Sequence, residues 1–515
     1  MKTKLLSLVS GAVLMVSVAG AQTRNAVIDN MVKEATENSQ LKPMAHELLD
    51  VIGPRLVGTP QMKIAHDWAV SKFNSWGVSA SNQKYGEWRG WERGVTHIDM
   101  ISPRLKTLEG MQLAWSPGAK KNIIAETIIL PLVTDSNAFK AWLPNVKGKL
   151  VLISQNQVTG RPDYNWEEFA TPESLKKMKE ERAAVAADWA NRMRNTGLNA
   201  KNLALALEKA GAAGLLASNW SAGFGVNKIF GANTTKIPTI DLSLEDYGLV
   251  YRLTQSGNTP KLDIKSESKE LGVVPTFNTI AELKGSEKPN EYIILSAHFD
   301  SWDGGSGATD NGTGTIVMME AMRLLKKFYP NPKRTILVGL WGSEEQGLNG
   351  SRAFVEDNPE IVKNMQALFN QDNGTGRVVN ISGQGFKRAQ EFIPKWLAYV
   401  PQDIRRHITT SFPGSPGGGG SDFASFVAAG APGFSISSLG WSYGNYTWHT
   451  NRDTYDKIVF DDVQGNAILT AILAYAASED PERFTNEKMT LPANPRTGEP
   501  GKWPTPVSPN RKGGL

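Results

Sequence analysis

The chain of 515 residues contains no cysteine. That excludes disulfides, thiolate zinc sites, a cysteine nucleophile and a lipid-modified cysteine. Stability must come from a packed core and any bound metal. Histidine is nearly as scarce, with six copies at positions 46, 66, 97, 298, 407 and 449. Charge of one sign is not in excess: the formal net charge is +5, and Lys2 and Lys4 contribute two of it. No arginine cluster is interleaved with aromatics, so the expectation is no nucleic-acid partner. Nor is any apolar run long enough for a comfortable membrane span.

Residues 1–21 read as a cleaved secretory signal. Lys2 and Lys4 precede a mostly apolar stretch, residues 5–18, and Ala19-Gly20-Ala21 offers a small-residue cleavage site. The expected product is a secreted or periplasmic protein with no stable membrane insertion. With 40% hydrophobic and 21% charged residues the remainder is ordinary globular material, long enough for two or more domains.

Helical periodicity covers residues 23–49, broken near Pro43, and 61–76. From about 110 to 270 short β-like runs alternate with turns. They surround a Lys-, Glu- and Ala-rich stretch, 174–194, that predicts a solvated helix. From Val273 onward the rhythm is strand, loop, helix. Strands are expected at 293–297, 335–340, 367–370 and 433–437, and helices at 312–328, 350–357, 422–429 and 461–477. This predicts an α/β fold whose mostly parallel mixed sheet is flanked by helices. The tail beyond about Asp480 is rich in Pro and Gly and predicts irregular coil, packed or mobile. No solenoid-period repeat is present.

Chemistry-bearing residues stand at the ends of the apolar runs, where open α/β sheets place their sites. His298 closes Tyr292-Ile-Ile-Leu-Ser-Ala-His298, and Asp300 follows two residues later. A metal-bound imidazole usually passes its other N–H to a carboxylate. Asp310 lies in a Gly-rich loop before a helix. The lysine and hydroxyl of a phosphate-binding loop are absent there, which leaves a helix cap or a metal-bridging carboxylate. Glu344 and Glu345 follow a buried-looking strand. Burying adjacent like charges costs several kcal/mol unless a cation compensates. A dinuclear site would supply that cation, with one glutamate a ligand and the other a base. His449 follows an aromatic loop, 441–448. His46, His66, His97 and His407 read as surface or structural histidines.

Taken together, Ala297-His-Phe-Asp300, Asp310-Asn-Gly-Thr-Gly314, Glu344-Glu-Gln-Gly347, Asp372 and His449-Thr450 resemble the co-catalytic zinc exopeptidases. These are the secreted aminopeptidases related to carboxypeptidase Q (plasma glutamate carboxypeptidase). Gly53-Pro-Arg-Leu56 and His298-Phe-Asp-Ser-Trp-Asp303 look closest to the carboxypeptidase Q branch. The resemblance implies two Zn2+ ions, with cobalt or manganese not excluded. His298 and Asp372 would bind one ion, Glu345 and His449 the other, and Asp310 both. Glu344 would be the general base, and Asp300 would orient His298. A cis peptide at Asp310-Asn311 is also implied. The segment around residues 110–270 is similar to a protease-associated domain inserted into a catalytic domain of residues 22–109 and 271–482. Residues 483–515 form a tail. The charged stretch 171–197 is longer than that module leads one to expect.

The implied function is hydrolysis of terminal peptide bonds in peptides or dipeptides by an aminopeptidase or a carboxypeptidase Q-like dipeptidase; a homodimer stays open. The rivals are a glutaminyl cyclase on a similar fold, a non-catalytic receptor-like relative, and a secreted carbohydrate-binding or adhesion protein. Asp303, Arg377 and the aromatic loop are the sequence candidates for gripping a substrate terminus. The Asn311 glycosylation sequon, beside the expected bridge, reads as coincidence.

Overall fold

The computed structural model describes residues 25–372, 374–493 and 496–514; the expected leader lies outside the described residues. The larger sheet is built on strands buried on both faces. Arg334–Trp341 and Met365–Asn370 are buried at every position, and Lys288–His298 is buried over its last six residues. Continuous apolar runs of this kind belong to parallel strands covered on both sides. Lys288–His298 indeed pairs in parallel with Arg334–Trp341 on one side and Met365–Asn370 on the other. Gly433–Ser438 joins in parallel beyond Met365–Asn370, Val378–Ser382 follows antiparallel to it, and the short strand Thr409–Ser411 closes that side in parallel with Val378–Ser382. The sheet is therefore mixed around a parallel centre.

Two helices are apolar on nearly all sides because they sit inside the fold. Thr313–Phe328 is buried at each position through Leu325, and it packs on Phe460–Glu479, which is buried from Asn466 to Ser478. Each large aliphatic side chain so buried contributes roughly 1.5–3 kcal/mol. The helix over 389–397 has no counterpart in the sequence expectations, because Pro394 lies inside it and an internal proline signals an end.

A two-stranded ribbon was also unforeseen. Ser79–Ser102 runs antiparallel to Lys261–Leu283 for almost its whole length, with bulges at Lys84/Gly86, Gly90/Trp91, Arg93/Thr96 and Met100/Ser102. Each bulge breaks the two-residue alternation that announces a strand. One end of the ribbon pairs with Arg334–Trp341 in the larger sheet. The other end pairs with Ile123–Ile129 in a second, smaller sheet. There Ile123–Ile129, Leu150–Leu152, Gly214–Ala217 and Thr239–Leu242 are mutually parallel. Two further cores cover its faces, one around Ile98, Leu152 and Tyr247, the other around Phe139, Val151 and Leu207.

The charged stretch forms a single helix, Pro172–Asn195, in which only Met178 is buried. The tail packs as irregular coil. Trp503 Nε1 donates to the Val427 carbonyl at 2.9 Å, and Lys512–Gly513 adds a short parallel pairing to the ribbon.

Candidate active site

Sequence elements that lie far apart meet where the parallel strands end. His298 is the last residue of its strand, Glu344 and Glu345 form the turn after Arg334–Trp341, and Asp372 lies just past Met365–Asn370. Asp310 comes from the loop that enters the buried helix Thr313–Phe328, and the Asp310–Asn311 peptide is cis. His449 comes from the aromatic loop with a φ of 60°.

The side chains form two triads that share Asp310. His298 Nε2 lies 3.2 Å from Asp310 Oδ1 and 3.3 Å from Asp372 Oδ1. His449 Nε2 lies 2.8 Å from Glu345 Oε2 and 3.4 Å from Asp310 Oδ2. In each triad the nitrogen and oxygen atoms fall within 4.8 Å of one another, as ligands around one ion would. His298 Nε2, Asp310 Oδ2 and Glu345 Oε1 are buried without an aligned hydrogen bond. Buried donors without an aligned partner are what an ion in each triad would engage. The nitrogen and carboxylate donors, with no sulfur, suit zinc, so the residues present fit the implied metal.

Glu344 stands outside both triads and lines a cavity of about 650 Å3 together with Asp310, Glu345, Asp372, Tyr443 and His449. Burial, followed by repulsion from Asp372, Asp422 and Asp300, drives its carboxyl well above the usual range. Glu345 is raised likewise, by burial and then by Asp310. Burial opposes charging of His298, but Asp372, Glu344 and Asp310 hold its imidazole well above its ordinary value. His449 is pushed down by burial to about 4. So many crowded acids would be relieved by a cation placed among them.

The supporting shell refines one expectation. His298 Nδ1 meets the backbone carbonyl of Asp300 at 3.0 Å, while the Asp300 carboxylate is 3.8 Å away. That carboxylate instead accepts from the backbone N–H of Glu344 at 3.0 Å and of Glu345 at 3.2 Å. Asp300 thus orients His298 through its main chain and the glutamate pair through its side chain. Asp453 does the same for the shared aspartate, accepting from Thr309 N at 2.7 Å and Asp310 N at 3.0 Å.

Arg55 is the buried cation of this shell. Its guanidinium donates to the carbonyls of Phe299, Ser306 and Gly307 at 2.7–3.0 Å. Burial lowers it to about 10, and Asp453, Asp300 and Asp310 pull it back upward. Sequence pattern assigns no role to Arg55 or Asp453, and it marks Tyr443 only as part of the aromatic loop. Arg55 lies inside Gly53-Pro-Arg-Leu56 and Asp453 four residues past His449, but which carbonyl or N–H each meets depends on the folded loops.

Some candidates are not brought together. Asp303 is taken by Arg93, with bonds of 2.7 and 2.9 Å, and Arg377 pairs with Asp462 at 3.0 Å; neither lines the cavity. Asn311 is fully buried, donates to the Gln371 carbonyl and accepts from Gly314 N, which is incompatible with a glycan. Of the other histidines, His66 is buried against Thr279 Oγ1 and the rest are exposed.

Residues 278–474, which hold every member of both triads, match the family description "Peptidase family M28". This part of the chain is similar to peptidase family M28. The M28 segment is accompanied by similarity over most of the chain. Carboxypeptidase Q of Bos taurus is 27% identical over 84% of each chain, and that of Homo sapiens 25% over 88% of each. Among solved structures, an M28 peptidase precursor from Shewanella amazonensis aligns with a TM-score of 0.64 at 23% identity, over 91% of this chain and 98% of its own. A zinc aminopeptidase from Bacillus subtilis aligns at 0.56 and 18% identity, over 89% and 97%. These two likenesses show the fold. With the family match and the curated relatives, the chain is a metallo-exopeptidase. Among the described residues no helix is long and apolar enough to cross a membrane.

Proposed function

We propose that the chain is an exported exopeptidase that hydrolyses terminal peptide bonds of peptides or dipeptides, using two zinc ions. His298 and Asp372 would hold one ion, Glu345 and His449 the other, and Asp310 both. The single observation that carries this reading is the pair of triads sharing Asp310. A glutaminyl cyclase with one zinc would have no use for the second triad. When bound, the ions would supply Lewis-acid chemistry, acidifying water and polarising the scissile carbonyl.

The remaining work falls to the chain. Glu344 lines the cavity beside both triads without belonging to either, and it takes the proton from the attacking water and returns it to the departing amine. Asp300, through the N–H groups of Glu344 and Glu345, keeps base and ligand in register. Asp453 and Arg55 hold the loop that presents Asp310. The unit around residues 110–270 is proposed as the protease-associated domain, and residues 1–21 as the export signal.

The test is Glu344→Gln. Peptide hydrolysis should fall by about 100-fold or more, while elemental analysis should still find two metal ions per chain. Unchanged hydrolysis would sink the mechanism, and a single ion in the wild type would sink the dinuclear centre.

A further inference from the structure

Which end of a peptide the cavity grips is decided by the charged groups on its wall. The acids lining it are Asp310, Glu344, Glu345 and Asp372, all of them already engaged in the site. The wall carries one arginine, Arg352, and no lysine. Arg352 stands on the helix Asn349–Asp357, directly after the glutamate turn. Its guanidinium folds back over that turn, with Nη1 3.9 Å from where a Cβ on Gly347 would lie. Gly347 in turn donates its N–H to the Glu344 carbonyl at 2.7 Å. The cation is therefore next to the turn that presents Glu344.

Arg352 is half-buried, and among the described residues its guanidinium has no hydrogen bond or ion pair. The natural partner one helical turn on, Glu356, is diverted: Arg511 of the tail takes both Glu356 and Asp357, at 3.2 and 2.7 Å. A partly desolvated guanidinium without an acceptor is costly, and its planar fork matches a carboxylate. Leu348 and Arg352 also line a second cavity of about 330 Å3, roofed by tail residues Pro504–Ser508. Both residues therefore line the two cavities.

Building on the peptidase reading above, we infer that Arg352 receives the terminal α-carboxylate of the residue on the leaving side of the scissile bond. The substrates are then peptides or dipeptides with a free C-terminal carboxylate, and Arg352 is the residue that selects them. Asp303 and Arg377, being paired elsewhere, do not compete for this role.

The experiment compares an N-acylated dipeptide with its C-terminal amide, in wild type, Arg352→Gln, Arg352→Lys and Glu344→Gln. Wild type should favour the free acid in kcat/KM by about tenfold to a hundredfold, the usual worth of a hydrogen bond to a charged group. Arg352→Gln should collapse that ratio, chiefly through KM, and Arg352→Lys should keep part of it. Equal wild-type rates on acid and amide, or an equal loss on both in Arg352→Gln, would overturn the assignment. Calorimetric binding of the free-acid dipeptide to Glu344→Gln, with and without Arg352→Gln, gives a readout independent of turnover. Weaker binding in the double variant supports the assignment, and unchanged binding overturns it. No hydrolysis of any peptide by the zinc-loaded wild type would overturn the peptidase reading itself, and the calorimetry would still decide the role of Arg352.

Discussion

The two halves of the site are built differently. The His298 half grows out of the sheet: its histidine is the last residue of a buried strand, 1% exposed, and its Nδ1 is held within two residues by the Asp300 carbonyl. The His449 half is a loop propped from outside the catalytic sheet. Ile229 of the smaller unit donates its N–H to the His449 carbonyl at 2.8 Å; beside it the Asn451 N–H donates to the Asn227 carbonyl at 3.0 Å, and the Asn227 N–H donates to Asn451 Oδ1 at 2.9 Å. Phe230 packs edge-on against the His449 ring at 5.3 Å, and Trp302 lies 5.9 Å away. Electrostatics follows the same division, with His298 raised among carboxylates and His449 lowered by its apolar surroundings. One half is therefore as rigid as the sheet, while the other depends on how the smaller unit is docked. The smaller unit has a structural part in the site.

That contrast can be broken from either side. His298→Ala should have the largest effect. It removes a proposed ligand from the rigid half, so kcat/KM should fall by more than the 10- to 100-fold that outer partners typically cost. Near-normal turnover with two ions still bound would refute the ligand assignment.

Asn451→Ala, which removes the side-chain acceptor of the Asn227 N–H, combined with Phe230→Ala tests the propped half. It should weaken one metal site about 10- to 100-fold and leave the other tight, as seen by metal titration. Equal weakening of both sites would mean that the halves are not independent.

His66 probes the core beneath the sheet half, where burial lowers its pKa to about 3. Its folded pKa lies below the unfolded value of about 6.5, so the unfolded chain binds the proton more readily. The contribution of His66 to stability is present above pH about 6.5 and is lost as pH falls toward about 3. His66→Leu should reduce the acid sensitivity of unfolding over that window by roughly a few kcal/mol, measured by denaturant melts against pH. An unchanged slope would show that His66 is not a source of it.

The smallest effect belongs to the helix Pro172–Asn195. Lys176 and Lys177 pair with Glu180 and Glu181 on an exposed face. Replacing both lysines with Ala should shift stability by no more than about 1 kcal/mol and leave kcat/KM unaltered. A clear loss of turnover would connect this helix to the site.

Much of the catalytic unit was legible because its signals are local. Strand ends marked by His298, Glu344 and Asp372 sit in runs whose uninterrupted apolarity reports burial on both faces. The helix of residues 172–195 was legible from its charge pattern, which only a solvated surface tolerates. The ribbon Ser79–Ser102 with Lys261–Leu283 was not, because its bulges scramble the alternation and its partner is more than 150 residues away. Nor was the helix around Pro394, whose proline argues against the element that contains it.

The chain alone determined which residue types could do the chemistry: without cysteine, any metal must be held by imidazole and carboxylate, and few histidines were available. It also determined that the acids would lie at strand ends, since hydrophobic patterning places the strands. Tertiary structure decided what faces what. It turned the Asp300 carboxylate toward the glutamate backbone, engaged Asp303 and Arg377 elsewhere, drew the tail's Arg511 onto Glu356, and left Arg352 open to the cavity. These outcomes depend on angles and distances between segments that the chain brings together only on folding. Sequence spacing does not encode them, because hydrogen bonds and ion pairs are settled within a few ångströms.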